Sequence, residues 1–223
     1  MISDSWTLFL KDIRLDIRRL EHFFSVLFFS VTLALVFAFA LPRELSSRID
    51  VLCGMYWISF LLSGILSLNK SFQVEKENGC IQAILVSPVS RGAVFIGKMM
   101  ATIFFMMIIQ LLVIPVFGIL FNEAAMTHLP AFLLLSLLAS FGFASLGTLL
   151  AGLTADIRFK DILLPLLLFP LMVPLLLASV RLTQVMLAGQ SLSEAIDWVR
   201  LLIGFDLIFM ILSFLTFEFV LEL

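Results

Sequence analysis

Residues 99–120 read MMATIFFMMIIQLLVIPVFGIL, a run that contains no charged side chain. A bilayer hydrocarbon core is about 30 Å thick, and a helix needs roughly 20 apolar residues to cross it. Lipid offers no hydrogen-bond partner for the backbone, so a single chain segment crosses it as a helix. The run therefore predicts a membrane-spanning α-helix.

The rest of the chain repeats this pattern. Of 223 residues, 62% are hydrophobic and 13% are charged, with a mean hydropathy of +1.17, which is typical of an integral membrane protein. We predict an all-α membrane protein with an amphipathic interface helix in residues 1–22 and a six-span domain in residues 23–223. The predicted spans are 23–41, 51–68, 99–120, 131–153, 162–180 and 199–220.

The basic residues predict an orientation. Ten of the 14 Lys and Arg residues fall on the side of residues 1–22, 69–98 and 154–161, and four on the other side. Positively charged segments stay in the cytoplasm. Both termini are therefore predicted to be cytoplasmic, and segments 42–50, 121–130 and 181–198 to face outward.

A phosphate-loop signature, G-x-x-x-x-G-K-[ST], is almost complete just before residue 99. Gly92, Gly97 and Lys98 match it, but Met99 stands where Ser or Thr would hold magnesium. A membrane span follows instead of a soluble helix. We interpret the two glycines as sites of close helix packing, and Lys98 as a side chain that reaches the cytoplasmic interface.

The connection between the second and third predicted spans holds a short apolar helix. The breakers Asn78-Gly79 and Ser87-Pro88 bracket it, and Ile81, Ile84 and Leu85 share one face at helical spacing. This helix either rests on lipid or docks a cytoplasmic partner.

Two more segments are predicted to lie along the membrane surfaces. The first, WTLFLKDIRLDIRRL (6–20), separates an apolar from a basic face, which is typical of a helix on the cytoplasmic surface. The second lies between spans five and six, where Ser191 and Glu194 have capping-box spacing and predict a short helix that re-enters the membrane or lies on its outer face before Trp198.

Three features lie within the spans. Small residues recur every fourth position in span four and predict close packing against another helix of the bundle, a subunit interface or a polar path. Span five carries three prolines, which predict a kinked half packed against protein. Asp206 is an acid in span six with Arg200 as a candidate partner. The small residues are Ser136, Ser140, Ala144, Thr148 and Gly152, and the prolines are Pro165, Pro170 and Pro174.

Catalytic and metal-binding patterns are not found in the sequence. The two histidines, His22 and His128, are predicted on opposite sides of the membrane, and no hydrolase triad or H-E-x-x-H motif is present. We therefore predict no catalytic residue, no metal site and no directly bound cofactor.

The connection resembles the signature of type-2 ABC transporter permeases, in which an acidic residue, a glycine, a short helix, a proline and Gly-Lys precede the third span. The matching residues are Glu75 or Glu77, Gly79, Pro88, Gly97 and Lys98. The proline-rich segment LTADIRFKDILLPLLLFPLMVPLLLAS, the six-span layout and the final WVRLLIGFDLIFMILSFLTFEFV are similar to the CcmB family.

The resemblance implies a permease-like subunit of the bacterial inner-membrane complex for cytochrome c maturation. ATP and magnesium would be bound by a CcmA-like ATPase. The other implied partners are a second permease copy, a CcmC-like haem-handling protein, a small membrane subunit and a periplasmic haem chaperone, without nucleic acid. The residues implied to couple to the ATPase are Glu75, Glu77, Gly79, Ile81, Ile84, Leu85 and Pro88. The alternative function is a type-2 exporter of lipid, polysaccharide or drug.

Overall fold

The computed structural model describes residues 2–18, 20–40, 49–77, 89–121, 129–154, 157, 160–190 and 195–220. Within these residues the chain forms α-helices and no strand. The helices are α1 (Ile2–Arg18), α2 (Leu20–Ala40), α3 (Ile49–Glu77), α4 (Arg91–Phe121), α5 (Leu129–Thr154), α6 (Lys160–Leu187) and α7 (Ile196–Val220).

Six of these helices, α2 to α7, are long and apolar enough to cross a membrane. This confirms the predicted all-α membrane fold, but several helix ends differ from the prediction. α3 continues to Glu77 and α4 already begins at Arg91, because helices extend beyond the apolar part of a span.

Span five also ends later than predicted, at Leu187 rather than 180. Gly189 stops the helix with a φ of 65°, and the amide groups of Gly189 and Gln190 donate to the carbonyl groups of Met186 and Val185 at 3.2 and 3.1 Å. This is the Schellman arrangement that glycine favours. Residues 181–187, predicted to lie in the outward-facing connection, therefore belong to α6, and Ser191 and Glu194 lie outside the described residues.

The helix α5 lies at the centre of the bundle and contacts α3, α4, α6 and α7. Glycines bring these helices close together: a Cβ atom added at Gly64 would overlap the ring of Phe143, and one added at Gly147 would meet Leu68. Such close approach suits a lipid environment, where helices associate by van der Waals packing. Large apolar side chains on the outer faces of α2, α6 and α7 are exposed, as expected for a lipid-facing surface.

Candidate functional site at the start of the third span

The near-complete phosphate-loop signature is helical, not a loop. α4 starts at Arg91, and the amides of Ala93 and Val94 donate to the Ser90 carbonyl oxygen at 2.9 and 3.3 Å. A phosphate cradle needs free, converging amide groups at a loop. This geometry cannot supply one, in agreement with Met99 at the magnesium position.

Gly92 and Gly97 are sites of close packing, as the sequence predicted. A Cβ at Gly92 would lie 2.9 Å from the ring of Phe214 in α7. One at Gly97 would lie 2.9 Å from the Cβ of Leu8 and 3.0 Å from the carbonyl oxygen of Ser5. The first turns of α4 are thus held between α7 and α1.

The prediction for Lys98 was wrong. Its side chain does not reach the interface but is buried, with Nζ 3.9 Å from a carboxylate oxygen of Asp12. The physical reason is that α1 packs across this end of α4 and covers the lysine. No pattern in the sequence indicates which helix covers this lysine.

On its other side, the start of α4 contacts the end of α7. Arg91 Nη1 donates a hydrogen bond to the backbone carbonyl oxygen of Glu218 at 3.2 Å, and the ring of Phe95 lies 5.2 Å from that of Phe217. A buried apolar cluster adds residues of α5. Its members are Val94, Phe95, Met99, Ala144, Leu149 and Phe217. We call the contacts of residues 91–99 with α1, α5 and α7 the α4 junction.

The predicted coupling segment directly precedes this junction. Glu75 and Glu77 lie in the last turn of α3, and their side chains are not described. Gly79, Ile81, Ile84, Leu85 and Pro88 lie outside the described residues. The coupling helix and its role therefore stay predictions, but chain connectivity places the segment between the end of α3 and the α4 junction.

The small residues of span four face the interior. Ser136, Ser140, Ala144 and Thr148 are buried, and Gly152 is half-buried. Ser140 accepts a hydrogen bond from Gln110 Nε2 at 2.9 Å. The hydroxyl groups of Ser136 and Thr148 have no hydrogen-bond partner among the described residues.

A buried polar network in the core is not predicted by the sequence. Tyr56 donates to Gln110 Oε1 at 2.8 Å, and Gln110 in turn donates to Ser140, which links α3, α4 and α5. A cavity of about 10 Å³ lies beside it and is also lined by serines of α2 and α3. The available signal was Gln110, the one strongly polar residue within 99–120.

Asp206 is fully enclosed within the bundle. Neither of its carboxylate oxygens has a hydrogen-bond partner among the described residues. Arg200, its candidate partner, is exposed and binds Asp197 at 3.2 Å instead. An unpaired acid in a membrane span is costly and marks a position of interest.

Two of the three prolines of span five face away from the rest of the chain. Pro170 and Pro174 lie on the exposed face of α6 and Pro165 is half-buried, whereas Leu164, Leu168, Met172 and Leu175 form the buried face. The described part of the chain does not itself supply the predicted packing at Pro170 and Pro174, so their packing against a partner subunit stays a prediction. The kink itself stays a prediction.

Ligand-type side chains do not cluster among the described helices. No group of three or more His, Cys, Asp or Glu side chains that could hold a metal ion occurs in the described part of the chain. His128 lies outside the described residues, and the side chain of His22 is not described.

Comparisons with known proteins agree over most of the chain. A family model described as CcmB protein matches residues 3–222. A heme exporter protein B of Rhodobacter capsulatus is 32% identical over 179 residues, which cover 78% of this chain and 79% of that protein. Proteins of the same name from Pseudomonas aeruginosa and Paracoccus denitrificans are 28% and 30% identical, and cover 85% and 76% of this chain and 84% and 78% of their own lengths.

Proposed function

Because this chain belongs to the CcmB protein family, as its sequence resemblance indicated, we propose that it is the membrane-spanning subunit of an ABC transporter complex for cytochrome c maturation. In this function, a separate ATPase supplies the energy, and this subunit carries the resulting motion into the membrane. The proposal assigns no catalytic residue to the chain.

The observation that carries the proposal is the α4 junction. Residues 91–99 contact α1, α5 and α7 within about two and a half turns of helix, and they directly follow the segment predicted to dock the ATPase. Close-packed helices move as rigid bodies rather than deform continuously. A force applied at residues 78–88 would therefore reach three helices through one contact point.

The role of haem in the proposal is indirect. The relatives from Rhodobacter capsulatus and Pseudomonas aeruginosa carry the name heme exporter protein B. Axial haem ligation requires His, Met, Cys or Tyr side chains at the iron. Tyr56, the single tyrosine of the chain, is buried in a hydrogen-bond network, and neither histidine has a described side chain. We propose that partner subunits ligate haem and that this subunit drives its delivery or the release of the loaded chaperone.

The proposal includes a location and an orientation. The chain would lie in the bacterial inner membrane with both termini in the cytoplasm, supported by the excess of Lys and Arg beside residues 1–22, 69–98 and 154–161. The α4 junction would then lie at the cytoplasmic surface, where an ATPase has access to it. The proposed partners are the ATPase, a second copy of this chain, a haem-handling membrane protein, a small membrane subunit and a periplasmic haem chaperone.

The test is purification of the tagged chain from membranes, followed by identification of the bound proteins and a complementation assay. We expect an ABC ATPase and a haem-handling membrane protein to co-purify, and cells that lack the chain to regain covalent haem attachment to cytochrome c when it is restored. Co-purification of the ATPase without the haem-handling protein, together with normal cytochrome c in cells that lack the chain, would instead identify a general exporter.

A further inference from the structure

An acid–base pair links the amphipathic helix α1 to the α4 junction. The side chains of Asp12 and Lys98 are only 10% and 8% exposed, and Lys98 Nζ lies 3.9 Å from Asp12 Oδ2. The other carboxylate oxygen of Asp12 lies 2.9 Å from Lys11 Nζ, whose side chain is 34% exposed. Asp12 thus faces one buried and one partly exposed ammonium group.

Apolar contacts already hold α1 in place. Phe9 is buried and its ring meets that of Phe104 edge-on at 6.0 Å. Gly97 lets the backbone of α1 approach at Ser5 and Leu8. The attachment of α1 to α4 therefore does not depend on a charge pair.

A buried ion pair is a poor source of stability, because removal of both charges from water offsets most of their attraction. It does favour one geometry, because separation of the two poorly hydrated charges loses their mutual attraction. An apolar pair of similar volume would hold α1 as well but would tolerate sliding. The charged pair Asp12–Lys98 therefore specifies the register of α1 on α4, that is, the position of one helix along the other.

We propose that Asp12 and Lys98 are a positioning pair for energy coupling: they lock α1 to the start of α4 so that both helices follow the ATPase together. The inference rests on the proposed function, because it needs an ATPase that acts next to residue 91. Without the pair, α1 stays attached through Phe9 and Gly97 but no longer follows the start of α4.

The test uses Asp12→Asn, Lys98→Met and the exchanged pair Asp12→Lys with Lys98→Asp. The matched control is Arg14→Gln, which removes an exposed charge from the same helix. We expect both single variants to retain the ATPase but to lower its kcat in the complex by about fivefold, which corresponds to about 1 kcal/mol in activation free energy. The KM for ATP should not change, and the exchanged pair should regain part of the activity.

A spin label at Thr7, an exposed residue of α1, gives a second readout that needs no ATPase. With Cys53 and Cys80 replaced by Ala, the label should become more mobile in Asp12→Asn and Lys98→Met and return towards the original mobility in the exchanged pair. Unchanged mobility together with an unchanged kcat in both single variants would overturn the inference. If the unmodified chain binds no ATPase, the proposed function fails. In that case, unchanged label mobility in both single variants is by itself sufficient to refute the positioning pair.

Discussion

Gly142 and Asp206 meet where the fourth and sixth spans pack together. A Cβ atom added at Gly142 would overlap Oδ1 of Asp206 and would lie 2.6 Å from Cδ1 of Leu175. The glycine thus provides the space that the enclosed carboxylate occupies. Asp206 lies on α7, and the carbonyl oxygen of Glu218 near the C-terminal end of α7 accepts a hydrogen bond from Arg91. The contact between Gly142 and Asp206 therefore holds the same helix that contacts the α4 junction.

Substitution of Gly142 by Ala should destabilise the protein. An extra methyl group in a filled interior costs about 1–3 kcal/mol, which outweighs the gain of about 1 kcal/mol in helix propensity. We expect a lower melting temperature in detergent. Asp206→Ala in the Gly142→Ala background should restore part of the loss, because neighbouring substitutions are not additive.

The control for this experiment is Gly54→Ala, since no heavy atom lies within 4 Å of the added Cβ there. Equal melting temperatures for Gly142→Ala and the unmodified protein would show that α5 and α7 are not as closely packed as described.

Removal of the Tyr56 hydroxyl group should also lower stability. In Tyr56→Phe the Gln110 carbonyl oxygen loses its donor inside the bundle, and a buried unsatisfied group costs about 1–3 kcal/mol. In a Gln110→Leu background, the same change should cost much less. A double-mutant cycle on thermal unfolding measures this difference, and fully additive effects would contradict the network.

Replacement of Pro170 and Pro174 by Leu tests the mechanical role of span five. Both prolines lie on the exposed face of α6, so the leucine side chains should not clash with other parts of the chain. Each substitution restores a backbone donor that proline removes, and should straighten the predicted kink. We expect normal membrane insertion and ATPase binding but loss of cytochrome c maturation.

Leu177→Val on the same exposed face serves as the control. Maturation at the unmodified rate in the double proline variant would show that the prolines have no part in the mechanism.

The orientation is tested with single cysteines in a background in which Cys53 and Cys80 are replaced by Ala. A cysteine at Ser46 should react in intact cells with a membrane-impermeant thiol reagent, and a cysteine at Asn78 should react only after the cells are permeabilised. The physical basis is the retention of basic segments in the cytoplasm. Labelling of Asn78→Cys from outside would show that the topology is the reverse of the predicted one. The α4 junction would then lie on the side of the membrane opposite to the ATPase.

The sequence predicted the six spans because each is a long apolar run, a property that needs no knowledge of neighbours. It also predicted close packing at Gly92 and Gly97, since a glycine within a helix suggests a near neighbour. The end of span five was misplaced because Arg181 and Gln184 suggest solvent, whereas the helix ends at the conformation of Gly189.

The burial of Lys98 and the exposure of Pro170 and Pro174 could not be predicted from the sequence, for a different reason. Both depend on which helix lies next to which, and a uniformly apolar span carries no periodic pattern that would reveal its buried face. The same applies to the Tyr56–Gln110–Ser140 network, whose members are far apart in the chain and meet only in the folded bundle.

The central claim is that residues 78–88 couple the ATPase to cytochrome c maturation, and Ile84→Asp tests it most directly. An aspartate on the apolar face shared by Ile81, Ile84 and Leu85 would lose its water on docking without gaining a partner, at a cost of several kcal/mol. Ala83→Asp, on the opposite face of the predicted helix, is the matched control.

The measurement is the amount of ATPase retained on the purified complex, together with the rate of covalent haem attachment in the same cells. The account predicts that Ile84→Asp inserts normally but loses both, while Ala83→Asp keeps both; normal ATPase retention and normal maturation in Ile84→Asp would contradict it.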